Sequence, residues 1–108
     1  MTIKEATYRA MQVRQKYIEL QEKRFGSKWS NQEIYQGLVG DIGDLGKLIM
    51  AKEGRRTEPN SDEELAHELS DCLYCLFVLA NNYNIDLEKS FLDTMGKLEN
   101  RVSAELTK

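Results

Sequence analysis

Five carboxylates in this chain are spaced as helical neighbours. Glu64, Glu68 and Asp71 follow at intervals of four and three residues, and Asp41 and Asp44 stand three apart on the stretch before. Residues three or four apart on a helix share a face, so each set turns its acids to one side. Directly after Asp71 comes CLYCLFVLA, apolar nearly all the way round, as in a helix at the centre of a core. Charge beside so much apolar surface is costly unless it is solvated, paired or bound to a cation. Gathered in one place, Asp41, Asp44, Glu68 and Asp71 would repel one another, and their pKa values would rise unless a cation joined them. Oxygen donors with no need of a histidine suit Mg²⁺ or Mn²⁺. The competing reading is a solvated acidic face with no ligand at all.

The elements that must position these acids are helices. Thr2-Ile3-Lys4-Glu5 has the form of a capping box and opens a helix to about Arg24, with apolar residues at Ala10, Met11, Val13, Tyr17, Ile18 and Leu20. Phe25-Gly26 fits its end. Trp29 is expected to pack back onto the next helix, with stacking against a ligand as the alternative. Ser30-x-x-Glu33 opens a second helix to about Glu53, with an expected seam of Ile34, Leu38, Ile42, Leu45 and Ile49. Gly37, Gly40, Gly43 and Gly46 interrupt it, each at about 1 kcal/mol relative to alanine. Close approach of another helix is the expected reason, and room for a ligand the alternative. Gly54 closes this helix. Ser61-x-x-Glu64 opens the central helix, which ends by Asn84. Asp86 caps a last helix with the seam Leu87, Phe91, Met95, Leu98 and Val102.

Four helices with short connections predict an all-α, antiparallel four-helix bundle forming one domain over residues 1–108. At 100° per residue, Asp41 and Asp44 lie roughly 60° and 120° to one side of their seam, and Glu68 and Asp71 lie similarly, in the same sense, beside theirs. Parallel helices would keep the two pairs apart. An antiparallel hairpin reverses the sense, so the pairs can face each other.

Composition bounds the function. The net charge is -3, with no basic stripe of the kind that grips nucleic acid. No apolar run approaches the roughly 20 residues that span a bilayer. The N-terminus lacks the apolar stretch of a secretory signal, and two cysteines fit reduced thiols in the cytoplasm. Cys72 and Cys75 lie mid-helix with no second pair and read as small core residues. Glu64-x-x-His67 has the form of a di-iron ligand pair, but only one such motif is present, so His67 is read as a surface residue or a neighbour of the ligands.

From Trp29 to Arg101 the chain resembles the MazG-like, all-α nucleoside triphosphate pyrophosphohydrolases. That family carries Glu-Glu-x-x-Glu on one helix and Glu-x-x-Asp on the next. Glu68-Leu69-Ser70-Asp71, within HELSDCLYCL and followed by NIDLEKSF, matches the second element outright. For the first, Gly40-Asp41-Ile42-Gly43-Asp44-Leu45 stands where the family has Glu-Glu-x-Gly-Glu-Leu. Both glutamates are thus one methylene shorter, and the first acid is a glycine. MGKLENRV is similar to the family's last helix.

The resemblance implies Mg²⁺-dependent hydrolysis of a ribo- or deoxynucleoside triphosphate to the monophosphate and pyrophosphate, Mn²⁺ being the other candidate ion. It implies Asp41, Asp44, Glu68 and Asp71 as metal ligands, and Glu64 or Glu68 as the acceptor of a proton from water. Lys97 and Arg101, with Asn100 between them, are the implied phosphate contacts, and Lys47, Arg55, Arg56 and Trp29 are further candidates. It also implies a homodimer or a dimer of dimers, with sites formed partly between subunits. The altered first motif leaves an alternative: a module that grips a nucleotide or metal without turning it over.

Overall fold

Local hydrogen bonds start the helices where the sequence places them. In a computed structural model, which describes residues 1–55 and 62–108, the Thr2 hydroxyl accepts from the Glu5 N–H and the Glu5 carboxylate accepts from the Thr2 N–H. Helix α1 (Ile3–Phe25) follows and closes on Gly26 at φ +82°, a left-handed conformation that glycine adopts without a Cβ penalty. Ser30 and Glu33 make the same reciprocal cap for α2 (Asn31–Lys52). Asp86 accepts from the Lys89 N–H and opens α4 (Leu87–Leu106). The central helix α3 runs Asp62–Asn82. Its expected cap at Ser61 and the candidate Arg56 lie outside the described residues.

Helices α2 and α3 form an antiparallel hairpin. Lys52 at the end of α2 pairs with Asp62 at the start of α3, and Asn82 at the end of α3 donates to Asn31 at the start of α2 (2.8 Å). Helix α1 runs against α3: Lys4 meets Asp86 just past the end of α3 (3.8 Å), while Tyr17 packs on Tyr74 with ring centroids 6.3 Å apart. The core where the three meet is small, with Ala10, Ile34, Leu38, Cys75, Phe77 and Val78 buried and Val78 completely enclosed.

Two expectations about helix faces change. The α2 seam is not Ile34, Leu38, Ile42, Leu45, Ile49. Ile42 and Ile49 are 53% and 43% exposed, whereas Asp41 and Leu48 are partly buried and Ala51 is buried. The inward stripe therefore runs 34, 38, 41, 45, 48, and Asp41 occupies a core-facing position. The α2 glycines, too, are not seats for another helix of the chain. A Cβ on Gly40, Gly43 or Gly46 would meet nothing within 4 Å, and one on Gly37 would touch the Trp29 ring at 3.4 Å.

Helix α4 buries no residue. Phe91, Met95, Leu98 and Val102 form the expected stripe but are 39–56% exposed, and among the described residues α4 packs chiefly on α1. The radius of gyration, 17.3 Å, exceeds the roughly 13 Å of a compact chain this long. The surface, 8299 Å², exceeds the roughly 6,200 Å² expected for a 12.5 kDa monomer.

Candidate metal centre

The hairpin brings the acids of its two helices together. From α2 come Asp41, on the inward stripe, and Asp44, one turn on and exposed; from α3 comes Glu68, partly buried. One carboxylate oxygen from each lies within 4.8 Å of the other two. Glu68 Oε2 is shielded from solvent by its immediate neighbours and has no hydrogen-bond partner. A buried carboxylate oxygen without a donor is costly, and the charges that raise Glu68 further are those of other carboxylates. Accordingly the Glu68 carboxyl is held above its usual range, first by desolvation and then by the charges of Asp71, Asp41 and Asp44. Asp41 is raised as well, by burial and by Asp71 and Asp44.

A divalent cation fits this donor set. An octahedral ion with bonds of about 2.0–2.1 Å spans about 4.2 Å between opposite ligands, inside the 4.8 Å within which these oxygens lie. It would give the Glu68 carboxylate the partner its Oε2 lacks and offset the repulsion that adds to desolvation in raising both pKa values.

Asp71 joins the cluster electrostatically, while its own carboxylate faces His67 Nε2 at 3.2 Å, one turn back on α3. Glu64 is exposed one turn before Glu68. Cys75 sits behind the acids, its Sγ 4.0 Å from Asp41 Oδ2. Burial, with Asp41 the next cause, pushes that thiol up to about 11, so it stays protonated and presents S–H to the carboxylate. Cys72 is raised also, mainly by burial. The cysteines are thus protonated packing groups, as their mid-helix positions imply.

Beside the acids lies a cavity of about 490 Å³ between α1, α2 and α3. Asp41, His67 and Asp71 line it toward the cluster, and Trp29, Tyr17 and Tyr74 line it elsewhere. Trp29 therefore faces ligand-sized space while also packing on Gly37. Lys47 and Arg55 are exposed, and Lys97, Asn100 and Arg101 lie exposed on α4, away from the cavity lining.

The apolar pattern of α1 conceals two further cavity residues. Arg14 and Gln21 are 4% and 8% exposed and line the same space. With Ala10 they fall at intervals of four and seven residues, one helical stripe. That spacing was available in the sequence, but a search for apolar periodicity passes over polar members.

Residues 30–104, well over half of the chain, match the family model of the MazG nucleotide pyrophosphohydrolase domain. Comparison with curated proteins and with solved structures gives no match.

Proposed function

The chain belongs to the MazG nucleotide pyrophosphohydrolase family, and from that premise we propose that it is a Mg²⁺-dependent enzyme cleaving ribo- or deoxynucleoside triphosphates to the monophosphate and pyrophosphate. The observation that carries this reading is the convergence of Asp41 and Asp44 with Glu68 across the hairpin, with Glu68 Oε2 buried and unpartnered.

Asp41, Asp44 and Glu68 would hold the ion, and Asp71, turned toward His67, adds negative charge and can swing to join them. Such an ion neutralises phosphate charge and makes a bound water more acidic. The chain's own part is to position and to move a proton. The two helices fix the carboxylates relative to the cavity, so that a triphosphate seated there meets the acids through its phosphates. Glu64 or Glu68 accepts the proton of the attacking water.

Lys97, Asn100 and Arg101 fit this scheme as phosphate contacts delivered from α4 of a second copy. The chain exposes about 2,100 Å² more surface than a compact monomer of its mass. Covered on both copies, that area lies in the range of obligate homodimers, and the bare α4 stripe is the natural place for it. We therefore read the protein as one helical domain, residues 1–108, working as a homodimer or a dimer of dimers. It has no basic stripe for nucleic acid, and none of the described helices is long and apolar enough to cross a membrane. We read the protein as cytoplasmic, a reading supported by its two cysteines standing as free thiols.

Pyrophosphate release from a panel of ribo- and deoxynucleoside triphosphates, with Mg²⁺, Mn²⁺ or EDTA, tests the reading. Metal-dependent release that Glu68→Gln abolishes is expected. No release from any nucleotide with either metal, from folded protein, overturns it.

A further inference from the structure

Arg14 is a buried cation without a buried anion. Its Nη1 donates to Gln21 Oε1 (3.0 Å) and its Nη2 to the Trp29 carbonyl (2.9 Å), while the Trp29 N–H donates to the same Gln21 Oε1 (2.8 Å). Among the described residues no carboxylate pairs with the guanidinium. A charge so placed is expensive unless something else balances it. The network has a direction. Gln21 Oε1 is occupied twice as an acceptor, which leaves the amide nitrogen of Gln21 as a donor, and a guanidinium has five N–H groups and no acceptor. The α1 wall of the cavity therefore presents donors. The carboxylate acceptors of the same cavity, Asp41 and Asp71, stand on α2 and α3 and belong to the acid cluster. Flat apolar surface in the same cavity comes from Trp29, Tyr17 and Tyr74.

We propose that the α1 side of the cavity is a nucleobase subsite, and that Arg14 and Gln21 make it selective for bases with a carbonyl oxygen at purine position 6 or pyrimidine position 4 over those with an amine at that position. The inference rests on the reading that the acid cluster takes the phosphates, which directs the base toward α1. Guanine, hypoxanthine, uracil and thymine offer the donors a carbonyl oxygen. Adenine and cytosine turn an N–H₂ toward N–H groups, leaving donors on both sides unpaired, and a lost pairing of this kind costs about tenfold to a hundredfold in affinity. The tyrosine hydroxyls can donate or accept and do not discriminate. The subsite thus reads the oxygen at one position and tolerates either ring size.

The test compares ligands that differ in that one group and needs no turnover. Trp29 is the chain's single tryptophan, so quenching of its fluorescence reports filling of the cavity. The full chain is titrated, with Mg²⁺, with α,β-methylene analogues of ITP against ATP and of UTP against CTP, whose α–β linkage resists hydrolysis. The inosine and uridine members are expected to bind about 10–100 times more tightly than their amino counterparts. Gln21→Glu is nearly isosteric, keeps the oxygen that accepts from Arg14 and Trp29, and replaces the remaining donor with an acceptor. It is expected to reduce that ratio to below about threefold or to invert it. Equal binding within both pairs, tighter binding of the amino members, no quenching by any analogue, or an unchanged ratio in Gln21→Glu overturns the proposal. Because binding is read without cleavage, a chain that releases no pyrophosphate can still show the preference, and an active one can lack it.

Discussion

In the absence of metal, Glu68→Gln should stabilise this protein. Three carboxylates whose oxygens lie within 4.8 Å of one another form three repelling pairs, and Glu68 belongs to two of them. At 4.8 Å a pair of unit charges repels by about 0.9 kcal/mol at the dielectric of water and about 3.5 kcal/mol at an effective value of 20. Asp44 is exposed and Asp41 only partly buried, so solvent screening pulls the answer to the lower limit. Removing the Glu68 charge then relieves about 1–2 kcal/mol. The new amide can also donate to Asp41 or Asp44 from the position of the orphaned Oε2. With roughly 4–8 °C per kcal/mol for a domain of this size, the variant should melt on the order of 5–10 °C above the parent in EDTA.

Adding Mg²⁺ well above its dissociation constant should reverse the advantage of the variant. A ligand bound only by the folded state stabilises by about 2.7 kcal/mol at about a hundred times its dissociation constant. The parent gains this and Glu68→Gln, short of a ligand, does not. Differential scanning calorimetry with and without Mg²⁺ separates the four states. A variant that melts below the parent in EDTA refutes the electrostatic account, and equal gains from Mg²⁺ refute the assignment of Glu68 to the ion.

Three further outcomes follow from the same geometry. The raised carboxyls of Glu68 and Asp41 predict a pH dependence of the metal-free protein: the stability gained by protonation is full below the unfolded values of 4.5 and 3.8 and is lost as pH rises through the higher folded values. Thermal melts in EDTA should therefore rise as pH is lowered from 7 toward 5, with a smaller rise in Glu68→Gln. Asp41→Asn, which keeps shape and removes the most inward carboxylate, should lower pyrophosphate release by about a hundredfold or more, beyond the 10–100-fold typical of residues that only support a ligand; a loss under threefold would remove Asp41 from the site. Leu98→Glu with Val102→Glu, on the bare α4 stripe, should shift sedimentation toward the monomer while leaving helical circular dichroism intact. An unchanged sedimentation coefficient would move the assembly surface off α4.

Features set by contacts within three or four residues were the most readable in the sequence. Thr2 with Glu5, Ser30 with Glu33, and Asp86 form their caps as the residue types require, because each bond depends only on local backbone. The convergence of the acid pairs was readable too, since chain reversal at a short connection is enough to turn Asp41 toward Glu68. The register of α2 was not. That helix carries one apolar stripe through Ile34, Leu38, Leu45 and Leu48 and another through Val39, Ile42 and Ile49, and periodicity alone does not say which faces the core. The exposed second stripe and the bare face of α4 present the same problem: apolar spacing identifies a surface to be covered without identifying what covers it. Arg14 was hidden for the opposite reason, because a buried cation is unexpected until its partners, Gln21 and the Trp29 carbonyl, are brought together by the fold.

The register of α2 also explains how shorter acids can serve this site. Asp41 stands where the stripe calls for an apolar side chain, so its backbone is held against α3 and a short arm suffices to bring its oxygens within 4.8 Å of those of Glu68. A longer glutamate at the same place would have to fold back or push into the space that Cys75 occupies behind it. Gly40 and Gly43 flank Asp41 and leave the outer side of the helix open, so no side chain there competes with the approach of a ligand. Asp41→Glu is therefore not a conservative repair toward the family's usual residue. It should weaken Mg²⁺-dependent stabilisation relative to the parent, because the added methylene must be accommodated in a packed position where overfilling costs about 1–3 kcal/mol. If Asp41→Glu instead bound Mg²⁺ more tightly and melted no lower, the short arm would be a defect of this site and not part of its geometry.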